Sequence, residues 1–177
     1  MRVYADSSFI LRLVTGEAGA EQAGAEYRRL GRPPIFYLPL HGLEVENGIR
    51  LRAFHERRVL PSGLRMRINR ERDAAVSRLI GFIKRGAFKE IVLDMDTATD
   101  RARRLSTTHA DRIGARSIDL LHVACALLLE TEVFLTFDPR QAELAKAEGL
   151  QVATVRAEDR PASQLSSPSH QHRLKRS

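Results

Sequence analysis

A chain of 177 residues with 43% hydrophobic and 29% charged side chains can bury one core of ordinary size, which excludes a wholly disordered chain and leaves no room for a second folded domain. Cys125 is the only cysteine, so an intrachain disulfide is excluded, and no segment approaches an apolar membrane span; a cytoplasmic protein without membrane contact is expected. The net charge of +7 and isoelectric point of about 10.3, carried mainly by arginine with its phosphate-gripping fork, point to an anionic partner.

Along the chain, short runs of β-branched and aromatic residues alternate with helical periodicity. Strands are expected at 2–5, 35–38, 90–93, 133–137 and 151–155, with helices near 7–14, 17–30, 41–57, 65–85, 97–111, 117–130 and 139–148. Strand followed by helix, repeated, predicts an α/β fold with a parallel five-stranded sheet covered on both faces. The first strand closes on Asp6. In the stretch Leu40 to Phe54, Glu44 shares a stripe with Asn47, Gly48 and Leu51 that is expected to face partly inward. Arginines then crowd Arg50 to Arg78, including Arg57, Arg58, Arg65, Arg67, Arg70 and Arg72, and Pro61-Ser62-Gly63 breaks them into a helical hairpin with a basic outside.

Farther on, Asp96 or Thr97 is expected to cap a helix beginning near Ala98. Ser117 is an N-cap candidate that puts Asp119 in the first turn, at the rim, with His122, Val123 and Ala126 on its side. Cys125 lies in an apolar run and fills the core. The strand Val133 to Phe137 closes on Asp138. From Ala157 the chain turns to Ser, Pro, Gln, His and Arg, dividing it into a folded domain over 1–156 and a disordered basic tail over 157–177.

Asp6, Glu44, Asp119 and Asp138 each sit at the edge of an apolar segment, where burying a charge is costly without a partner. Ligands bind beyond the carboxyl ends of strands in open parallel sheets, so acids that end two strands are placed to share a site. Carboxylates brought together repel unless cations compensate, and Mg²⁺ or Mn²⁺ is the hard, oxygen-liganded choice. Each acid also has an ordinary explanation: Asp6 and Asp138 as helix caps, Asp119 at a helix dipole, Glu44 as a solvated helix residue. His122 reads as a packed helix histidine rather than a ligand, because hard cations prefer oxygen.

Four segments in this order, Val3-Tyr4-Ala5-Asp6-Ser7-Ser8, Leu43-Glu44-Val45-Glu46-Asn47-Gly48, Ser117-Ile118-Asp119-Leu120-Leu121-His122-Val123-Ala124 and Leu135-Thr136-Phe137-Asp138-Pro139-Arg140-Gln141, together resemble the PIN-domain ribonucleases, and most closely the VapC-type toxins of bacterial toxin–antitoxin pairs. The resemblance spans roughly 1–156 and implies a three-layer PIN-like fold. It further implies a metal-dependent endoribonuclease with Asp6, Glu44, Asp119 and Asp138 around one or two Mg²⁺ or Mn²⁺ ions, Glu44 being preferred over Glu46 for its place in the helix motif. Ser7 and Thr136 are candidates for supporting hydroxyls. The partners implied are RNA, a second copy of the chain and a small VapB-like antitoxin. The long Arg-rich hairpin departs from the motifs, which leave its role undefined.

Two other readings compete. Ile91-Val92-Leu93-Asp94-Met95-Asp96-Thr97 resembles the nucleophile strand of haloacid-dehalogenase-like phosphatases, although Ala98 stands where Thr or Val is expected and no downstream lysine-plus-acid set follows. Alternatively, the chain is a non-catalytic basic module that binds RNA or an antitoxin through Arg50 to Arg78 and the tail, with strong salt dependence. An aromatic content of 6% without tryptophan argues against a base-stacking platform.

Overall fold

A parallel strand buried on both faces needs apolar side chains on both, and Val3-Tyr4-Ala5 and Val133-Phe134-Leu135 supply them. The structure, a computed structural model, describes residues 1–154, so the tail expected over 157–177 lies outside the described residues. β1 (Val3–Ala5) leads into α1 (Ser7–Thr15) and α2 (Ala20–Arg29), and β2 (Ile35–Tyr37) into α3 (Pro39–Val59), a 3-10 turn at Ser62–Leu64 and α4 (Arg65–Lys84). β3 (Phe88–Glu90) precedes α5 (Met95–Ile113) and α6 (Ser117–Leu128); β4 (Val133–Thr136), α7 (Pro139–Ala147) and β5 (Gln151–Thr154) complete the series.

The strands lie in the order β3-β2-β1-β4-β5, all parallel, which is the α/β fold with a five-stranded sheet that the alternation predicts. Alternate side chains of β1 serve opposite layers. Val3 and Ala5 pack with Phe9, Ile10, Tyr27, Val45, Ile49 and Leu79 from α1 to α4. Tyr4 packs with Leu105, Val123, Phe134 and Leu144, joining α5, α6 and α7 on the other face. Full burial of a large apolar side chain such as Phe9 or Phe134 contributes about 1.5–3 kcal/mol, so these layers hold the strand ends rigidly. Because β2 and β4 flank β1, the strand order reverses between β1 and β4, and their carboxyl ends open a crevice of the kind in which such sheets bind ligands.

Several local expectations are corrected. The strand expected at 90–93 is instead Phe88–Glu90, because its partner β2 ends at Tyr37 where Pro39 opens α3, leaving residues beyond Ile91 nothing to pair with. Phe88 stacks between Phe82 and Tyr37, with ring centroids at 4.7 and 5.7 Å, whereas Val92 is 97% exposed. α5 starts at Met95 and its cap is Asp94, not Asp96 or Thr97. The buried stripe of α3 is His41, Val45, Ile49 and Ala53; Asn47 and Leu51 face outward, and Glu44 lies half-buried at the stripe's edge. Gly48 is where α3 comes closest to α1, since a Cβ there would meet Leu11 Cδ2 at 3.1 Å. This approach brings Glu44, one turn earlier, over the start of α1. The break at Pro61-Ser62-Gly63 falls as expected, and Cys125 is fully buried in the core.

Candidate metal centre

Asp6 ends β1, and its backbone N–H still donates to Leu135 O of β4 at 2.9 Å, so the sheet ladder positions it. Its extended backbone makes it the N-cap of α1, with the carboxylate accepting from Phe9 N–H at 2.8 Å. Ser8 Oγ donates to both carboxylate oxygens at 2.8 and 2.9 Å, and Thr136 Oγ1 donates to Oδ2 at 2.7 Å. Asp6 is only 2% exposed. Burial raises its pKa, partly opposed by His122, Thr136, Phe9 N–H and Ser8. Capping and a role in a site are therefore compatible in this residue: neutral donors fix its direction while no cationic side chain among the described residues pairs with it at contact.

Glu44 is held by two donors on the same oxygen, Ser7 Oγ at 2.7 Å and His122 Nε2 at 2.6 Å from Oε2. His122 Nδ1 lies 2.8 Å from the Tyr4 hydroxyl. Burial, reinforced by Cys125, Asp6 and Glu44, pushes the Tyr4 pKa well up, so Tyr4 keeps its proton beside Nδ1. The other ring nitrogen, Nε2, faces Glu44. Burial alone would raise the Glu44 pKa, but the hydrogen bonds from His122 and Ser7 win and hold it low. Beneath them, His41 accepts from Leu38 N–H and donates Nε2–H to Ala5 O, both at 2.9 Å, tying the start of α3 to the end of β1. Burial, with His122 nearby, depresses the His41 pKa to about 3.

The other two acids meet on a cation. Asp119 stands at the third position of α6 and reaches back to Arg116 N–H at 2.9 Å, so Arg116, not Ser117, is the N-cap. Nor does Asp119 sit at the rim: it is fully buried, with Gln141 Nε2 donating to Oδ1 at 3.0 Å. Arg116 Nε donates to Asp119 Oδ2 at 3.1 Å, and Nη2 lies 3.3 Å from Asp119 Oδ1 and 3.2 Å from Asp138 Oδ2. Burial again pushes the Asp119 pKa up, and the Arg116 and Gln141 donors overcome it and leave it low. Asp138 ends β4 and caps α7 through Arg140 N–H at 2.8 Å, while its own N–H donates to Thr136 Oγ1 at 2.9 Å.

Three of the acids share one network at the β1/β4 crevice, where Thr136 connects Asp6 to Asp138 and Arg116 connects Asp138 to Asp119, while Glu44 is bonded to Ser7, the residue after Asp6. As placed, no three His, Cys, Asp or Glu side chains among the described residues converge closely enough to hold a metal ion. The donors nevertheless suit a hard cation, being all carboxylate oxygen, and the guanidinium across Asp119 and Asp138 marks a cation-complementary position. His122 is a packed helix residue, 2% exposed, yet it touches Glu44 directly, and Arg116 and Gln141 complete the network without having been singled out.

Elsewhere the aspartate pair at 94 and 96 has a local explanation. Asp94 is an exposed cap that accepts from Asp96 N–H at 3.1 Å and Thr97 Oγ1 at 2.6 Å, beyond the end of an edge strand. In the hairpin, Arg50, Arg52, Arg67 and Arg72 pair with Glu46, Glu56, Glu71 and Asp73, while Arg57, Arg58, Arg65, Arg70 and Arg78 have no acidic partner among the described residues. No helix among the described residues is long and apolar enough to cross a membrane. A family model described as PIN domain matches residues 3–147, and no curated protein matches the chain.

Proposed function

The chain belongs to the PIN-domain family, and from that membership we propose that it is a Mg²⁺- or Mn²⁺-dependent endoribonuclease that hydrolyses RNA phosphodiester bonds through residues of a domain spanning 1–156. PIN domains are nuclease-type folds that generally work with divalent metals. The observation that carries the reading is that hydrogen bonds through Thr136 and Arg116 join Asp6, Asp138 and Asp119 at the switch point of the sheet, with Glu44 bonded to Ser7 beside Asp6.

Asp6, Asp119 and Asp138 would hold the ion, with Glu44 completing the set or orienting a water. When bound, the ion lowers the pKa of water and neutralises charge on the phosphate being cut. Ser8, Thr136 and the Phe9 amide lock the Asp6 carboxylate in direction without cancelling its charge. Ser7 and His122 both engage Glu44 Oε2, so Oε1 is the oxygen left to meet the ion or a water. Arg140, half-exposed beside Asp138, adds positive charge for the RNA backbone.

The finer assignment, a VapC-type toxin acting as a homodimer and restrained by a small VapB-like antitoxin, rests on the four motif segments and their order. Elution as a monomer at all concentrations, alone and after co-expression with the neighbouring open reading frame, would count against it. One observation favours the non-catalytic alternative: Arg116 neutralises Asp119 and Asp138 where a metal is needed.

Cleavage of a total-RNA mixture by purified protein in Mg²⁺, Mn²⁺ or EDTA, with Asp119→Ala in parallel, separates the two. Discrete metal-dependent fragments absent from the variant are expected. Identical products from both proteins would remove the nuclease assignment.

A further inference from the structure

Among the described residues, Arg116 is the one cation whose fork spans two of the four acids. Two kinds of partner hold it in place. Its backbone N–H is fixed by Asp119 at the N-cap, whereas its guanidinium crosses to Asp138, which comes from a different strand end 22 residues later. Its side chain remains 61% exposed although Asp119 beneath it is 1% exposed, so the guanidinium lies over the acid as a cover with a solvent-facing outer edge. Nη1 donates to no carboxylate among the described residues. Such a group can swing into water at little cost in packing, while the acid it leaves cannot follow: Asp119 stays held by Gln141 and by the Arg116 amide, both of which are independent of the guanidinium.

Resting on the metal-site reading above, we propose that Arg116 is an internal competitor for the divalent cation: its guanidinium and the ion bind the same oxygens of Asp119 and Asp138, so metal loading requires the side chain to turn outward. The device has two consequences. It keeps the buried Asp119 and the partly exposed Asp138 compensated when metal is scarce, and it weakens the site's affinity for metal by the strength of the arginine's grip. Hydrogen bonds to charged groups of this kind are worth on the order of a tenfold change in affinity or more. Arg116 is a positioning residue here, acting on the ligands and not on the substrate.

The test is Mn²⁺ affinity, read by calorimetry or by the free-ion paramagnetic resonance signal, for wild type, Arg116→Gln and Arg116→Lys. Arg112→Gln serves as a charge control, because Arg112 pairs with Glu143 at 3.1 Å and touches none of the four acids. Arg116→Gln is expected to bind Mn²⁺ about tenfold tighter or more, to melt lower without metal, and to gain more in melting temperature on adding Mn²⁺ than wild type does. Arg116→Lys keeps the charge but cannot fork across both acids, so it too is expected to bind more tightly than wild type, with Arg112→Gln unchanged. Equal or weaker Mn²⁺ binding in both Arg116 variants would overturn the competition, as would equal tightening in Arg112→Gln, which assigns the effect to net charge. Binding by none of the proteins would overturn the metal-site reading and this inference together.

Discussion

Asp6 and Glu44 take their hydrogen bonds from hydroxyls, an imidazole and a backbone amide, whereas Asp119 and Asp138 share the charged fork of Arg116. Hydroxyl and amide donors aim a carboxylate and leave its charge in place; a guanidinium aims it and cancels the charge. Asp6 is therefore set in geometry with its charge in place, while Asp119 and Asp138 already share a cation. The difference follows from position. Asp6 and Glu44 meet at the start of α1, where Ser7, Ser8 and a free helix amide are close, and Asp119 and Asp138 meet where the N-cap of α6 projects an arginine across the end of β4.

Asp6→Asn breaks the first half most severely, since it keeps the shape and removes one charge. Cleavage is expected to fall by more than about a hundredfold, the range already reached by losing an outer-shell partner of a ligand. RNA binding, measured on the same protein, should hold or strengthen because net positive charge rises; equal loss of both would mean a folding defect. Tyr4→Phe is milder and acts at one remove. Without the hydroxyl, His122 Nδ1 loses its hydrogen-bond partner and the ring that holds Glu44 is less firmly fixed, so cleavage is expected to drop about tenfold. An unchanged rate would show that the orientation of Glu44 does not depend on this chain of contacts.

His41 sharpens the comparison through pH, because it supports only the first half. Its folded pKa of about 3 lies below the ordinary 6.5, so folding opposes its protonation. The stability it contributes is complete above about pH 6.5 and is lost as pH falls toward 3, at about 1.4 kcal/mol per pH unit while the unfolded form titrates. Unfolding free energies from urea titrations at pH 7 and 4.5 should differ by about 2–3 kcal/mol, and the difference should shrink in His41→Gln. The smallest change is Gly48→Ala. Its methyl would crowd Leu11 at 3.1 Å and push α3 off α1, costing about 1 kcal/mol in a thermal melt, with a slight loss of cleavage through Glu44. A stabilised variant would show that Leu11 moves aside freely.

Much of this fold is legible in the sequence because its central strands are short, apolar on both faces and punctuated by Asp6 and Asp138, and because helical periodicity fills the intervals. The edge is less legible. Ile91-Val92-Leu93 has the composition of a strand, yet where a strand stops depends on its neighbour, and β2 is cut short by Pro39. α3 misleads in another way: its inward stripe runs through His41, a polar residue satisfied at both nitrogens, so composition alone assigns the wrong face. The four acids stand out by their placement at segment ends. Arg116 carries no such mark, since an arginine before a helix is ordinary and its contact with Asp138 exists only after β4 is laid beside β1. Tyr4 and Cys125 read as core, which they are, and only the hydroxyl contact to His122 gives Tyr4 a second part.

Whether the two halves form a single cation site despite being held so differently is decided by Mn²⁺ titration of wild type, Asp6→Asn and Asp119→Asn. Saturable binding to wild type that is lost, or weakened by more than about a hundredfold, in both variants is the expected result. Binding that survives in either variant at wild-type strength would mean that its half does not belong to the site, and the account of one shared metal centre would be wrong.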